Sequence, residues 1–532
     1  MRQLIRRLGL SALVLSVLAL PAQAAGVSFT NPLPHGPVDF ARPSLAVHLF
    51  TTTAQGSIQF QLSLDGQPVS AALNPQTLMI SYTPPQPLSP GVHQASLTLT
   101  VDGQQYQPID WSFTVLPDAL TVLPPPAAQQ QAALQWVNRY RAIAGLAPLK
   151  LNDSLDIAAQ QQADFFVQHV ALYYPGSLSP HQQPPGNQGV YPWQRDHYFG
   201  YPGDSSAEVM DSVSGPRQAT ADWIDSVYHR TPLLTPQISL MGFGAASLPG
   251  SQPYPGAAYI DFGYLGSPPA PPDQTVLYPV PGQMGVPTAF QAGETPDPLK
   301  AFGGASLYPV GFPITLNFPS SQVTGITVTS ATLTTAAGVA VPSYVLTPAN
   351  DPNDTAPNHE LGNTVAIMAK APLAPGTVYQ AQISGTYTDA QGTQSFSHAW
   401  PFSTAPAPTQ LTSAPYIHVT LNGTPLTFPV PPQVVDGRVL LPFRALFQAL
   451  GAQVNWSPDN PDYATATRGS DTVSIEFEAF VAQINGQSEE LPVPPMVVNG
   501  SSLVPLRFMA QDLGLKVQWD AATDTVLLTT AS

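Results

Sequence analysis

The 532 residues carry 33 acidic and 17 basic side chains, 62 prolines and no cysteine. A net charge of −16 argues against nucleic acid and anionic membrane surfaces as partners, because both reward clustered Lys and Arg. Without cysteine there are no disulfides and no thiolate metal sites, so stability must come from apolar cores, which a 43% hydrophobic content can supply.

Arg2, Arg6 and Arg7 precede an apolar run from Leu8 to Leu20, and Ala22-Gln23-Ala24 supplies the small residues of a cleavage site. Residues 1–24 therefore read as a signal peptide. Its removal leaves 14 basic against 33 acidic residues, a net charge of −19. No later stretch approaches the roughly 20 apolar residues needed to span a bilayer, so no transmembrane anchor is expected. The expected location is secreted, extracellular or at the cell surface.

Residues 26–118 alternate in short runs, as in Ser57 to Leu64 and Gln94 to Val101, with turn signals at Asp65-Gly66 and Asp102-Gly103. That pattern predicts an all-β sandwich. Its closing run, Trp111 to Val115, resembles the last strand of bacterial immunoglobulin-like modules. Residues 119–128, with Pro124-Pro125-Pro126, read as a stiff linker.

From 129 to 266 the period becomes helical. Leu134, Val137, Asn138 and Arg141 share one helix face, and Asn152 caps a second helix that turns Leu155, Ala158, Ala159, Ala163, Phe166 and Val167 inward. A third helix is predicted from Pro216 to Tyr228, and strands at Leu240 to Ala245 and Ala258 to Tyr264. The stretches Asn138 to Leu149, Leu151 to Ala163, Trp223 to Arg230 and Gly242-Phe243-Gly244 resemble the bacterial branch of the CAP superfamily (cysteine-rich secretory, antigen 5 and pathogenesis-related proteins).

The resemblance implies an α-β-α sandwich whose cleft holds two histidines and two acids, with zinc as a divalent metal bound in some members. Carried over by position, His181 is the first histidine, Glu208 the first acid and His229 the second histidine. Ser226 stands where the second acid belongs, with Asp225 beside it. His181, Glu208 and His229 are thus candidate metal ligands, and with Ser226 candidate cleft residues. Two imidazoles and a carboxylate suit an open zinc site or an acid/base pair. The asparagine and glycine that flank the acid in the family are missing, however, and no His-Glu-x-x-His pair is present. His169 competes with His181, but its helical position favours packing. Arg230 reads as a capping or ion-pairing residue, and Arg195 and His197 as solvated rim.

Residues 267–406 return to strands, at Ile314 to Phe318, Thr324 to Thr334, Val378 to Gly385 and Trp400 to Thr404, and are again immunoglobulin-like, with a spacer role favoured. A linker at 407–415 precedes a duplication over 416–532. Leu421-Asn422-Gly423 recurs as Ile484-Asn485-Gly486, Pro431-Pro432 as Pro494-Pro495, Pro442 and Arg444 as Pro505 and Arg507, Leu450-Gly451 as Leu513-Gly514, and Trp456 as Trp519. Every offset is 63 residues. Each copy predicts a hairpin, a strand, a short helix ending at glycine and a strand bearing the tryptophan. The pattern resembles the copper amine oxidase N-terminal-like domain, which implies surface attachment or ligand binding. With His418 as the segment's one histidine, no copper chemistry is expected. Arg444 and Arg507 are expected to pair with backbone or acids.

The predicted fold class is multidomain: immunoglobulin-like sandwiches flanking an α-β-α sandwich, with a C-terminal duplicated α+β domain. Three functions remain open. The favoured one is a non-enzymatic protein whose cleft binds a small apolar or metal-bridged ligand or a cell-envelope component. The others are a metal-dependent hydrolase acting on envelope material and a structural protein with an idle cleft.

Overall fold

The computed structural model describes residues 27–530 apart from 31, 52–56, 76, 175, 214, 248–255, 266–270, 292, 356–357, 360, 406–411, 415–416, 436–437, 458–459, 477–480, 486, 492, 499, 507–514 and 521–522. The leader, Arg507, Leu513 and Gly514 lie outside the described residues. No helix among the described residues is long and apolar enough to cross a membrane. The chain is multidomain and mostly β. It divides into two compact units, one ending at Thr121 and including Gly200–Pro202, the other holding the remainder.

In the first unit, strands Val27–Phe29, Leu45–Thr51, Met79–Tyr82 and Ala72–Asn74 form one sheet. Gly36–Phe40, Ile109–Leu120, Gly91–Val101, Ile58–Leu64 and Gln67–Val69 form the path of the other. Alternation puts Val38, Leu45, Leu97 and Phe113 between the two sheets, as a half-buried strand pattern requires. The two predicted turns hold. Asp65-Gly66 and Asp102-Gly103 all have positive φ, the conformation that lets a two-residue hairpin follow the strand twist.

In the second unit, the central segment is a four-stranded sheet in the order Lys150–Leu151, Leu240–Ser247, Gly256–Tyr264, Asp204–Asp211. Helix Asp153–Gln168 packs on one face, and helices Ala128–Ile143 and Pro216–Asp225 on the other. Asn152 caps the first of these as expected, its side-chain oxygen accepting from the backbone N–H of Ser154 (3.1 Å) and Leu155 (3.2 Å). Gly242 and Gly244 explain how that helix sits so close to the sheet. A Cβ on Gly242 would come within 2.0 Å of the Leu155 carbonyl carbon, and one on Gly244 within 2.1 Å of the Gln160 nitrogen. Arg141, fully buried, donates to the carbonyls of Ala147, Leu233, Thr235 and Ile238, tying the first helix to two loops.

The following β segment has two main sheets, Val276–Tyr278, Ile314–Asn317, Thr364–Ala369 and Ser343–Leu346 in one and Gly325–Thr335, Val378–Asp389 and Gly392–Ser403 in the other, besides the small ladder of Asp354–Thr355 with Asn358–His359. Its core is continuous with that of the central segment. Val137, Trp223 and Phe262 belong to the same apolar cluster as Leu316, Ile367 and Trp400. This sandwich is therefore fused to its neighbour rather than spaced from it.

The C-terminal duplication folds by exchange. Leu440 pairs with Pro505, Leu441 with Val504 and Pro442 with Leu503. Since 440 corresponds to 503 and 442 to 505, this register places a local twofold through Leu441 and Val504. The opening hairpin of copy one, His418–Leu421 with Thr424–Pro425, joins Thr525–Thr530 and Leu515–Asp520 of copy two. The opening hairpin of copy two, Val481–Ile484 with Gln487–Glu490, extends the sheet of Asp471–Glu476, Asn460–Arg468 and Gln453–Ser457. The predicted short helix is Phe443–Ala449, followed by Gly451 at φ +77. Arg444 is exposed.

Candidate functional site

The strand Asp204–Asp211 organises the site, and its alternation decides which groups can meet. Met210 packs with Phe166 and Tyr173 on the side of helix Asp153–Gln168, whereas Val209 packs with Ala219 and Trp223 on the opposite side. Glu208, two residues before Met210, faces the first side. Asp211, two after Val209, faces the second.

On the first face, the Glu208 side chain is 1% exposed and both its oxygens are taken. His181 Nδ1 donates to Oε1 at 2.7 Å, and Arg195 Nη2 donates to Oε2. Arg195 also donates to the His181 carbonyl at 3.2 Å. Burial would raise the Glu208 carboxyl, but the Arg195 guanidinium and the His181 hydrogen bond outweigh it and hold it below the ordinary value. Asp261 lies opposite Glu208 in the strand pairing. Burial first, then the nearby Asp196 and Glu208, raise its carboxyl well above the usual range. A protonated Asp261 beside Glu208 avoids a second uncompensated charge.

Arg195 was expected on a solvated rim and is fully buried, because the helix Pro192–Tyr198 carries it inward onto Glu208. Glu208 is held on a strand. The available signal for Arg195 was its isolation. Between Gly176 and Gly203 it and Asp196 are the sole charged residues. His197 is placed at Gly203, with Nε2 3.2 Å from the carbonyl. His169 is exposed and stacks on Phe165 at 4.2 Å, in keeping with a packing role.

On the second face, His229 follows helix Pro216–Asp225 and its Nδ1 donates to Glu294 Oε1 at 3.0 Å. Glu294 comes from the fused β segment, is 1% exposed, and also accepts the backbone N–H of Val227 (2.8 Å), Tyr228 (2.6 Å) and His229 (3.2 Å). Nothing local marks Glu294, which lies 65 residues beyond His229. Asp211 and Asp222 sit close by and share a hydrogen bond. Burial first, then the Asp222 charge, push Asp211 up to about 7.

Ser226 is buried and its hydroxyl donates to the Trp223 carbonyl at 2.7 Å, so it is spent at the helix end and not on an imidazole. Asp225, raised to about 7 by burial, lies near Arg230. Arg230 itself is buried across the fused core, donating to the Ile224 and Pro313 carbonyls and to the Thr315 hydroxyl, with Tyr278 and Phe312 against its guanidinium. It bonds backbone, as a capping residue would, although its partners are mostly from the neighbouring segment.

The expected ligand set does not fit zinc. Glu208 has no oxygen free of a cationic or imidazole partner, and His229 stands on the opposite face of the sheet with Nδ1 on Glu294. Among the described residues, no three His, Asp or Glu side chains are grouped to hold a metal ion. The structure replaces one convergent cleft by two imidazoles, each oriented through Nδ1 by its own buried carboxylate.

Residues 134–254 match the cysteine-rich secretory protein family, and residues 420–528 match the copper amine oxidase N-terminal domain. Neither match reaches half of the chain. No curated protein matches. Among solved structures, the chain is similar to an outer surface protein from Borrelia burgdorferi, at 16% identity and TM-score 0.20, over 25% of this chain and 91% of that one. It is also similar to fibronectin(III)-like modules from Clostridium thermocellum, at 17% identity and TM-score 0.14, over 17% of this chain and 96% of that one. A third is the insect immune protein hemolin, at 11% identity and TM-score 0.15, over 94% of this chain and 99% of that one.

Proposed function

We propose that this is an exported modular binding protein whose central α/β segment presents a ligand-binding surface around His181 and performs no turnover. The observation that carries this reading is the saturation of Glu208. With one oxygen on His181 and the other on Arg195, it acts as a buried strut that fixes the imidazole, not as a base or a metal ligand. What reaches solvent is the His181 side chain, 35% exposed, in a loop with no exposed formal charge. The duplicated C-terminal domain then serves attachment to the cell envelope, and the second immunoglobulin-like sandwich, whose core is continuous with that of the central segment, braces it.

The test uses the purified full chain with peptide, ester and peptidoglycan substrates, with and without added zinc, together with a zinc titration. No turnover and no stoichiometric zinc binding through His181, Glu208 and His229 are expected. Cleavage that disappears in His181→Ala or His229→Ala, or zinc binding that disappears when the three residues are replaced, would overturn the reading. Export is tested separately by the mass of protein recovered from the medium or surface, where loss of residues 1–24 is expected.

A further inference from the structure

Tyr191 and Trp193 are 39% and 48% exposed, yet their rings lie parallel, 4° apart in plane and 4.6 Å between centroids. Large aromatic side chains held open to water forgo burial worth roughly 25 cal/mol per Å² of apolar surface. Their backbone is held firmly. Gln194 Oε1 accepts from the N–H of Val190 (2.8 Å) and of Tyr191 (3.2 Å), and Gln183 N–H donates to the Val190 carbonyl at 3.0 Å. Gly189, at φ +147, lets the loop pass where a Cβ would come within 2.7 Å of Gln194 Cβ and 2.9 Å of the Arg195 nitrogen. The next two residues, Arg195 and Asp196, are buried in the Glu208 network. The same loop pairing that ties Gln183 to Val190 brings His181 to the neighbourhood of the stacked rings.

We propose that Tyr191 and Trp193 form a preorganised platform for a neutral saccharide chain, with His181 as the flanking polar contact. This rests on the reading of the central segment as a binding surface. The chemistry of the surroundings selects the ligand. From Gly176 to Gln194 there is no Asp, Glu, Lys or Arg, so this loop offers no formal charge to pair with a charged ligand. The polar groups present are amides, at Gln182, Asn187 and Gln188, and an imidazole whose Nδ1 is committed to Glu208, leaving Nε2 for a ligand. Amides and imidazole both donate and accept, which suits hydroxyls, while the outer ring face that the mutual stack leaves uncovered suits the C–H face of a pyranose. Because the platform is already ordered, binding costs little side-chain entropy. A proline-rich peptide is the competing ligand for exposed aromatics, but it is recognised in aromatic-lined grooves, and two mutually stacked rings offer a flat face.

The experiment is calorimetric titration of the full chain with neutral hexasaccharides of β-linked glucose, xylose, mannose and N-acetylglucosamine, and with a proline-rich decapeptide. Binding of at least one saccharide is expected, with affinity reduced about tenfold or more in Trp193→Ala and in Tyr191→Ala at unchanged circular dichroism. His181→Gln should weaken the same binding. Saccharide binding that both aromatic variants leave intact overturns the platform while leaving the binding reading in place. Binding of the peptide alone, or of no probe, overturns the saccharide assignment. Release of new reducing ends from a bound saccharide would overturn the non-catalytic reading itself.

Discussion

Replacing Glu294 by alanine should unfasten the central segment from the sandwich fused to it. The carboxylate accepts four hydrogen bonds, from three successive backbone N–H groups and the His229 ring, and Val227 and Tyr228 are themselves buried. Each buried donor left without an acceptor costs about 1–3 kcal/mol, and water entering the truncated site recovers part of that. A net loss of about 3–5 kcal/mol is therefore expected, in the range seen when one partner of a buried charged network is removed. Glu294→Gln keeps one acceptor oxygen but turns an NH2 group toward the donors that Oε2 or Oε1 had satisfied, so a smaller loss of about 1–2 kcal/mol is expected. Hydrogen exchange is the assay that reads the turn directly, because protection at Val227, Tyr228 and His229 should fall with the stability lost. Urea unfolding reports the same change as a lower midpoint. If Glu294→Ala exchanges these amides at the wild-type rate and unfolds within about 0.5 kcal/mol of wild type, Glu294 is not their acceptor and the fused-core account fails.

Asp156 gives a pH dependence of definite sign. It is buried, accepts the Phe243 N–H at 2.8 Å, and is pushed up to about 7 by burial. Its folded value lies above the unfolded one, so its contribution is present at low pH and is lost as pH rises toward and through 7; about 1.4 kcal/mol should disappear between pH 6 and 8. Asp156→Asn keeps the acceptor without the charge and should flatten that slope in pH-resolved urea titrations; an unchanged slope would count against the assignment. Gly244→Ala places a methyl group inside the backbone of helix Asp153–Gln168 and should cost about 3 kcal/mol or more, read as a lower melting temperature, whereas a neutral effect would mean the helix sits farther from the sheet. Ending the chain at Glu476 removes the strands on which His418–Leu421 relies, so the first repeat should lose its protected amides; a truncated chain in which that repeat keeps native protection would refute the exchanged arrangement.

Local features were well marked in the order of residues. Asn152 announced its helix, Asp65-Gly66 and Asp102-Gly103 announced their hairpins, and the 63-residue offset announced the duplication, because each depends on neighbours a few residues apart or on plain recurrence. The strand carrying Glu208 and the helix carrying Arg195 were not anticipated. The helix is short, and neither element has the apolar alternation or amphipathic stripe that marks an element in sequence. The duplication showed two copies but not their exchange, since a strand pairs equally well with an equivalent partner from either copy.

The residues by themselves determined the kinds of module present, their order along the chain and the presence of His181, Glu208 and His229 as the chemically active types in the central segment. Tertiary structure alone decided their company. A strand sends successive side chains to opposite faces, so Glu208 went to one side of the sheet and Asp211 to the other, with His181 and His229 following them apart. Burial then required each charge to find a partner wherever the packed chain placed one. Glu208 found Arg195 from the preceding helix, and His229 found Glu294 from the next segment.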